Sequence, residues 1–175
     1  MRKCDEFSTG STQEKIVISD VFLDIDGVLT DGAVYVDASG KETKRILFDD
    51  VDAIFKMKRA GIKIGFITGE DNDFCQYVKS RFAPDYFIAG CKDKLAAFKK
   101  LAEENNLDKS TVCYAGDSER DMELLSYVAC SFVPGDIDPV IKSAAKTVLK
   151  ASRGQGVIKE LAGLILQKPG DTDPD

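Results

Sequence analysis

The sequence predicts an α/β fold, a doubly wound parallel sheet with helices on both faces. Three observations carry that expectation. Short apolar runs of strand character alternate with segments of helical period. The loops between them are short, which suits βα units in one sheet. Acidic, hydroxyl and glycine residues recur at or just past the ends of the apolar runs, where such a sheet gathers its ligand.

The elements follow in order. Ile16 to Ile25 reads as the first strand. Ala33 to Asp37 and Thr43 to Phe48 flank Ala38-Ser39-Gly40-Lys41, the pattern of a hairpin with a glycine-assisted turn, so residues 33–48 are expected to form a small flap. Val51 to Ala60 has helical spacing through Ile54, Phe55 and Met57 and stops at Gly61, a C-cap. Ile62 to Ile67 is a buried strand. A helix from Asn72 to Phe82 must end before Pro84, which disfavours helical geometry at Ala83. Tyr86 to Ile88 is a strand, and Lys92 to Asn105 is a helix with Leu95, Phe98, Leu101 and Ala102 on its apolar face. The strand Thr111 to Ala115 and a helix from Glu119 to Tyr127 follow. Cys130 to Val133, Ile137 to Ala144, Thr147 to Leu149 and Gly156 to Leu166 complete the alternation.

A chain of 175 residues fits one domain with one substantial core, placed at residues 15–166. Residues 1–14 are polar and read as a disordered tail without the apolar segment of a signal peptide, and 167–175 as a flexible acidic end. The net charge of −6 offers no field for nucleic acid or anionic lipid, and no run reaches the roughly 18 apolar residues of a membrane span. Five scattered cysteines without a CxxC pair, and no histidine, argue against zinc and disulfides and fit a reducing cytoplasm. The absence of histidine also excludes every mechanism built on an imidazole base. Acid and base work is left to carboxylates, lysine or tyrosine.

The most informative stretch is Val21-Phe22-Leu23-Asp24-Ile25-Asp26-Gly27-Val28. In an extended strand Asp24 and Asp26 point to one face, so their carboxylates converge at its tip. Converged carboxylates repel unless a cation or a shared proton relieves them, and hard oxygen ligands suit Mg²⁺. The other reading is that both aspartates simply end a strand and cap a turn. Past the next core strand stands Thr68-Gly69-Glu70, where a hydroxyl and a glycine N–H suit a phosphate oxygen beside a helix N-terminus. Lys92 and Lys94 compete as the cation near a later helix start, a place where the helix dipole gives lysine no structural reward. Gly116-Asp117-Ser118-Glu119-Arg120-Asp121 follows another strand, and the spacing of Asp117 and Asp121 puts both on one helical face, as ligands or as a cap and a first-turn charge. Together these residues make a phosphoryl-transfer kit: a carboxylate nucleophile, a second carboxylate for the leaving-group proton, Mg²⁺, and a Thr and Lys cradle.

The order Asp24-x-Asp26-Gly27-Val28, Thr68-Gly69, Lys94 and Gly116-Asp117-x-x-x-Asp121 resembles the four motifs of the haloacid dehalogenase superfamily of phosphohydrolases, over most of residues 16–133. The resemblance implies a Rossmann-like sheet, with Asp24 as the nucleophile that forms an aspartyl-phosphate and Asp26 as general acid and base. It implies that Thr68 and Lys94 bind the phosphoryl group, and that Mg²⁺ is held by Asp24, the Asp26 main-chain carbonyl and Asp117, with Asp121 in support. With only the hairpin flap and no large cap domain, the chain is similar to the capless group of phosphatases that act on 3-deoxy-D-manno-octulosonate 8-phosphate and on nine-carbon keto-acid 9-phosphates. The stretch Asp24 to Gly32 and the tail Arg153-Gly154-Gln155-Gly156-Val157-Ile158-Lys159-Glu160 carry that likeness. It implies a phosphorylated sugar acid as substrate and a homotetramer whose neighbours help close each site.

Two departures from that group stand out. Thr68-Gly69-Glu70 replaces the Thr-Gly-Arg of the eight-carbon enzymes and resembles the nine-carbon ones, which makes Gly69 and Glu70 substrate-side candidates, the rival reading of Glu70 being a favourable charge at a helix N-terminus. Asp52-Ala53-Ile54 stands where a glycine-rich segment is common, in a helix that looks slightly short. Arg153 and Lys159 each read either as a solvated surface charge or as a cation for a substrate carboxylate, in an adjacent subunit. The competing expectations are a non-catalytic tetramerisation module like the C-terminal domain of animal sialic acid cytidylyltransferases, and a phosphate-accepting signalling receiver.

Overall fold

The computed structural model describes residues 17–167. The two expected tails therefore lie outside the described residues, apart from Gln167. The strands are β1 (Asp20–Leu23), β2 (Tyr35–Val36), β3 (Glu42–Thr43), β4 (Lys63–Ile67), β5 (Tyr86–Ile88), β6 (Val112–Ala115), β7 (Cys130–Val133) and β8 (Thr147–Val148). The helices are α1 (Phe48–Arg59), α2 (Asp73–Phe82), α3 (Lys94–Asn105), α4 (Met122–Tyr127), α5 (Pro139–Lys142) and α6 (Val157–Leu166). Six strands form one sheet in the order β5-β4-β1-β6-β7-β8, every pair parallel. β2 and β3 pair antiparallel as a separate hairpin, and no large cap is present among the described residues.

Alternation along the strands divides the core between two faces. Val21 and Leu23 of β1, Ile64 and Phe66 of β4 and Cys113 of β6 point to the side covered by α1, α2 and α6, where they meet Ile54, Met57, Val78, Phe82 and Leu161. Phe22, Ile67, Val112 and Tyr114 point to the other side and meet Phe98 of α3, Leu124 and Leu125 of α4, and Ile141 of α5. Burying each large apolar side chain contributes about 1.5–3 kcal/mol, so central strands apolar on both faces form the stable middle of the molecule. Cys75, Cys91, Cys113 and Cys130 are free thiols.

The element boundaries have local causes. Asn72 caps α2 by accepting from the Cys75 N–H, and Asp93 caps α3 by accepting from the Ala96 N–H. That cap moves the start of α3 from the expected Lys92 to Lys94. α2 ends at Ala83, held left-handed at φ 40° ahead of Pro84. α1 begins at Phe48 rather than Val51 and runs for 12 residues, so it is not short. The second hairpin strand is correspondingly briefer than Thr43 to Phe48, with one further bridge between Thr30 and Ile46.

The expected first strand, Ile16 to Ile25, stops at Leu23. Its last pairing step is the Asp24 N–H donating to the Ala115 carbonyl. The chain then coils into a wide turn over Ile25–Leu29, closed by the Thr30 N–H on the Ile25 carbonyl, with Gly27 at φ 90°. Asp24 and Asp26 are therefore not neighbours on one strand face. They lie on either side of the point where strand becomes turn. The chain leaves β1 toward α1 on one face of the sheet and leaves β6 toward α4 on the other, so the crevice between β1 and β6 is the switch point of the topology.

Candidate active site

Four sheet-end segments meet at that crevice. Asp24 and Asp26 arrive from β1, Thr68 and Gly69 from β4, Lys94 from the start of α3, and Asp117 from the loop after β6. All six line one pocket of about 440 Å³, together with Glu70, Arg120 and Arg153. Of the predicted site residues, Asp121 is fully buried behind the pocket against Lys94 and only Lys159 is left apart from the group. Lys159 lies outside the pocket, its Nζ 2.8 Å from Asp49 and its N–H on the Asp50 carboxylate.

Lys94 is the centre of the charge arrangement. Only 3% exposed, its Nζ lies 2.9 Å from Asp24 Oδ1 and 2.6 Å from Asp121 Oδ1. Lys92 is exposed on the surface. Burial works against the Lys94 charge, yet the two carboxylates hold its pKa above the ordinary lysine value. A first-turn lysine that its own helix dipole disfavours is thus explained by acidic partners from the segments that follow β1 and β6.

Asp121 is fully buried and saturated with donors. Oδ1 receives Lys94 and the Tyr114 hydroxyl, while Oδ2 receives the N–H groups of Asp117 and Ser118 and the Ser118 hydroxyl. Although burial opposes ionisation, Lys94 and these donors keep its carboxyl below the usual range. Asp24, Asp117 and Asp121 offer oxygens within 4.8 Å of one another. With both oxygens of Asp121 already engaged, it fits the role of a brace for Lys94 and the Asp117 loop better than that of a ligand. The two aspartates do not share a helical face as their spacing predicts. Asp117 precedes the helical turn, which Ser118 caps, and the loop folds back to bring it to Asp121.

Asp24 and Asp117 behave differently. Burial, followed by the Asp121 charge, pushes the Asp24 carboxyl up to about 8 despite Lys94. The same two causes push Asp117 up to about 6 against the pull of Arg153 and Lys94. Asp24 Oδ1 accepts the Ile25 N–H and Lys94, but among the described residues no donor hydrogen-bonds Oδ2. Arg153 approaches Asp117 Oδ2 only to 3.7 Å. Two buried, incompletely compensated carboxylates opening into one pocket are the donor set that a divalent cation would relieve. Gly27 makes the approach feasible: a Cβ there would fall 1.9 Å from Asp117 Oδ2.

Thr68 is buried and its hydroxyl accepts the Glu70 N–H at 3.2 Å. The helix that was expected to support it begins only at Asp73. Glu70 is exposed at the pocket rim and accepts from the Asn72 amide at 3.4 Å, so it is not a cap of α2, a role taken by Asn72. Arg153 reaches the pocket of its own chain. Asp136 holds it, through the Arg153 N–H at 2.9 Å and Nε at 3.5 Å.

Three residues were not visible as site residues in the sequence. Tyr114 looks like a core strand residue and is one, except for its hydroxyl on Asp121. Arg120 sits within the acidic motif, and its guanidinium comes to the Gly69 backbone. Lys44, from the hairpin, places Nζ 2.6 Å from Asp26 Oδ1. Nothing local marks it, because its partner is brought near only by the fold.

A family model described as haloacid dehalogenase-like hydrolase matches residues 88–161. The chain is 28% identical over 153 residues to the 3-deoxy-D-manno-octulosonate 8-phosphate phosphatase of Escherichia coli K12, covering 87% of this chain and 81% of that protein. The crystal structure of the enzyme of the same name from Yersinia pestis superimposes with a TM-score of 0.81 at 26% identity, over 86% of this chain and 82% of the other. The cobalt-bound deoxy-D-mannose-octulosonate 8-phosphate phosphatase of Haemophilus influenzae matches with a TM-score of 0.80 at 27% identity, over 86% of this chain and 88% of that one.

Proposed function

We propose that the chain is a haloacid dehalogenase-like hydrolase, a reading supported by the family model and by the 28% identical relative, and that it is a Mg²⁺-dependent phosphatase acting on the phosphate ester of an eight- or nine-carbon 3-deoxy-2-keto sugar acid. The observation that carries the reading is the convergence of Asp24, Asp26, Thr68, Lys94 and Asp117 on one pocket at the sheet's switch point.

Asp24 is the nucleophile. Its carboxylate oxygen attacks phosphorus, the P–O bond to the sugar breaks, and Asp26 gives its proton to the departing alkoxide. Water then attacks the aspartyl-phosphate with Asp26 as base, which releases inorganic phosphate and restores Asp24. Lys94 and Thr68 hold the phosphoryl oxygens, and Asp121 keeps Lys94 in place. Mg²⁺, bound by Asp24, Asp117 and the Asp26 main-chain carbonyl, would supply the charge neutralisation that lets an anionic nucleophile approach an anionic ester. The cobalt-bound relative supports a divalent ion at such a site.

The relatives named above favour the eight-carbon ester, and Glu70 at the rim favours a nine-carbon one. Arg120 and Arg153 are the cations available to the sugar-acid carboxylate, and charge-assisted hydrogen bonds of that kind contribute about 1.5–3 kcal/mol. We take the working form to be a cytoplasmic homotetramer. Exposed Val34, Tyr35 and Val36 on the hairpin support such association, and no described helix is long and apolar enough to cross a membrane.

The test is steady-state phosphate release with Mg²⁺ from 3-deoxy-D-manno-octulosonate 8-phosphate, 2-keto-3-deoxynononate 9-phosphate and N-acetylneuraminate 9-phosphate, using wild type, Asp24→Asn and Glu70→Arg. Wild type hydrolyses one of them and Asp24→Asn none. A nine-carbon preference that Glu70→Arg moves toward eight carbons identifies Glu70 as the selector. Absence of release from every ester would favour the non-catalytic module.

A further inference from the structure

We propose that Lys44 is the positioning residue for Asp26, so that docking of the hairpin aims the acid that protonates the leaving group. The inference rests on the reading of Asp26 as that acid. Lys44 follows β3 on the way out of the hairpin, and its side chain is 7% exposed while that of its partner Asp26 is 32% exposed. Its Nζ lies 2.6 Å from Asp26 Oδ1 and 5.3 Å from the centroid of the Phe74 ring on α2. The Thr30 hydroxyl donates to the same oxygen at 3.4 Å. Thr30 and Lys44 thus both hold Oδ1, and among the described residues no donor hydrogen-bonds Asp26 Oδ2, which leaves that oxygen open to the leaving group.

Burying an ammonium costs several kcal/mol unless partners repay it, and an apolar side chain would fasten a hairpin to Phe74 without that cost. The charge is therefore explained by its partner. Asp26 needs a fixed donor on one oxygen because the turn that carries it leaves its side chain partly exposed, with only the longer Thr30 contact besides Lys44 to hold it. Lys44 does not line the pocket that holds the other site residues, so it acts on the reaction through Asp26 and not by touching substrate. One ammonium thus joins three elements: the hairpin, the turn after β1 and α2.

Leaving-group dependence separates this role from simple fastening. An alkoxide needs a proton as it departs, whereas p-nitrophenolate does not. The measurement is kcat/KM, which covers the chemistry through leaving-group departure, for p-nitrophenyl phosphate and for 3-deoxy-D-manno-octulosonate 8-phosphate with Mg²⁺. General acids contribute about 10²–10⁴-fold, so Lys44→Met is expected to lower kcat/KM for the sugar ester by at least ~30-fold and for the aryl ester by less than ~3-fold. Lys44→Arg, which keeps the charge, recovers part of the loss. Phe74→Leu shifts the ratio in the same direction and serves in its place should Lys44→Met not fold. Equal losses on both esters, or none on either, overturn the proposal while wild type remains active. A wild type inactive on both overturns the phosphatase reading itself, and this inference with it.

Discussion

Replacing Gly27 with alanine should separate activity from stability. Gly27 lies at φ 90°, in the turn after β1, and an added Cβ would stand 1.9 Å from Asp117 Oδ2 and 2.8 Å from Oδ1. Carbon and oxygen reach ordinary contact only near 3.4 Å, so the carboxylate must retreat by roughly 1.5 Å. The clash is with the end of a short side chain and not with backbone, so the fold absorbs it by turning Asp117 away. A positive φ on a residue with a Cβ adds a strain of about 1–3 kcal/mol. A misplacement of about 1 Å in a reacting constellation costs on the order of 100-fold. Gly27→Ala is therefore expected to lose about 1–3 kcal/mol in urea unfolding, to lose at least 100-fold in Mg²⁺-dependent kcat/KM, and to bind Mg²⁺ more weakly by calorimetry. Activity within threefold of wild type in a folded variant would refute the argument, because Asp117 would then not be needed where the structure puts it.

Mg²⁺ should raise the melting temperature of wild type, with a gain of about 2.7 kcal/mol at a hundred times its Kd, and the gain should vanish in Asp117→Asn; a differential scanning calorimeter reads both. Arg120→Ala should raise KM for the sugar acid phosphate about tenfold while leaving KM for p-nitrophenyl phosphate nearly unchanged, since a carboxylate contact of about 1.5–3 kcal/mol is lost only with the former. Equal KM changes for the two esters would remove Arg120 from substrate recognition. Gly65→Ala would drive a Cβ to 2.4 Å from the Phe22 ring in the middle of the sheet, and overpacking of that kind should cost about 1–3 kcal/mol in chemical denaturation with kcat little changed.

Much of this fold was legible because its signals are local. Tyr86 to Ile88 and Cys130 to Val133 begin and end where their apolar runs do, because buried strands need apolar side chains on both faces. Helix ends were legible at Asn72 and Pro84, where a cap and a proline stand, whereas the cap at Asp93 was passed over and α3 was started two residues early. The first strand was overread, because an apolar run continues through Ile25, Val28 and Leu29. These three side chains are buried just as strand residues would be, so hydrophobicity could not reveal that the chain was already turning at Gly27.

The candidate site divides along the same line. Asp24, Asp26, Thr68, Lys94 and Asp117 were marked by residue type at strand and helix ends, and they do share one pocket. The sequence by itself determined which chemical groups were available: carboxylates, hydroxyls, lysines and arginines, with no imidazole. The tertiary structure alone decided their employment. It set the Lys94 ammonium between Asp24 and Asp121, brought Tyr114 and Ser118 onto Asp121, placed Arg153 at the pocket and left Lys159 outside, and closed Lys44 over Asp26 from a hairpin 18 residues away. The physical reason is that ion pairs and hydrogen bonds act over a few ångströms of space, while a sequence records only distance along the chain.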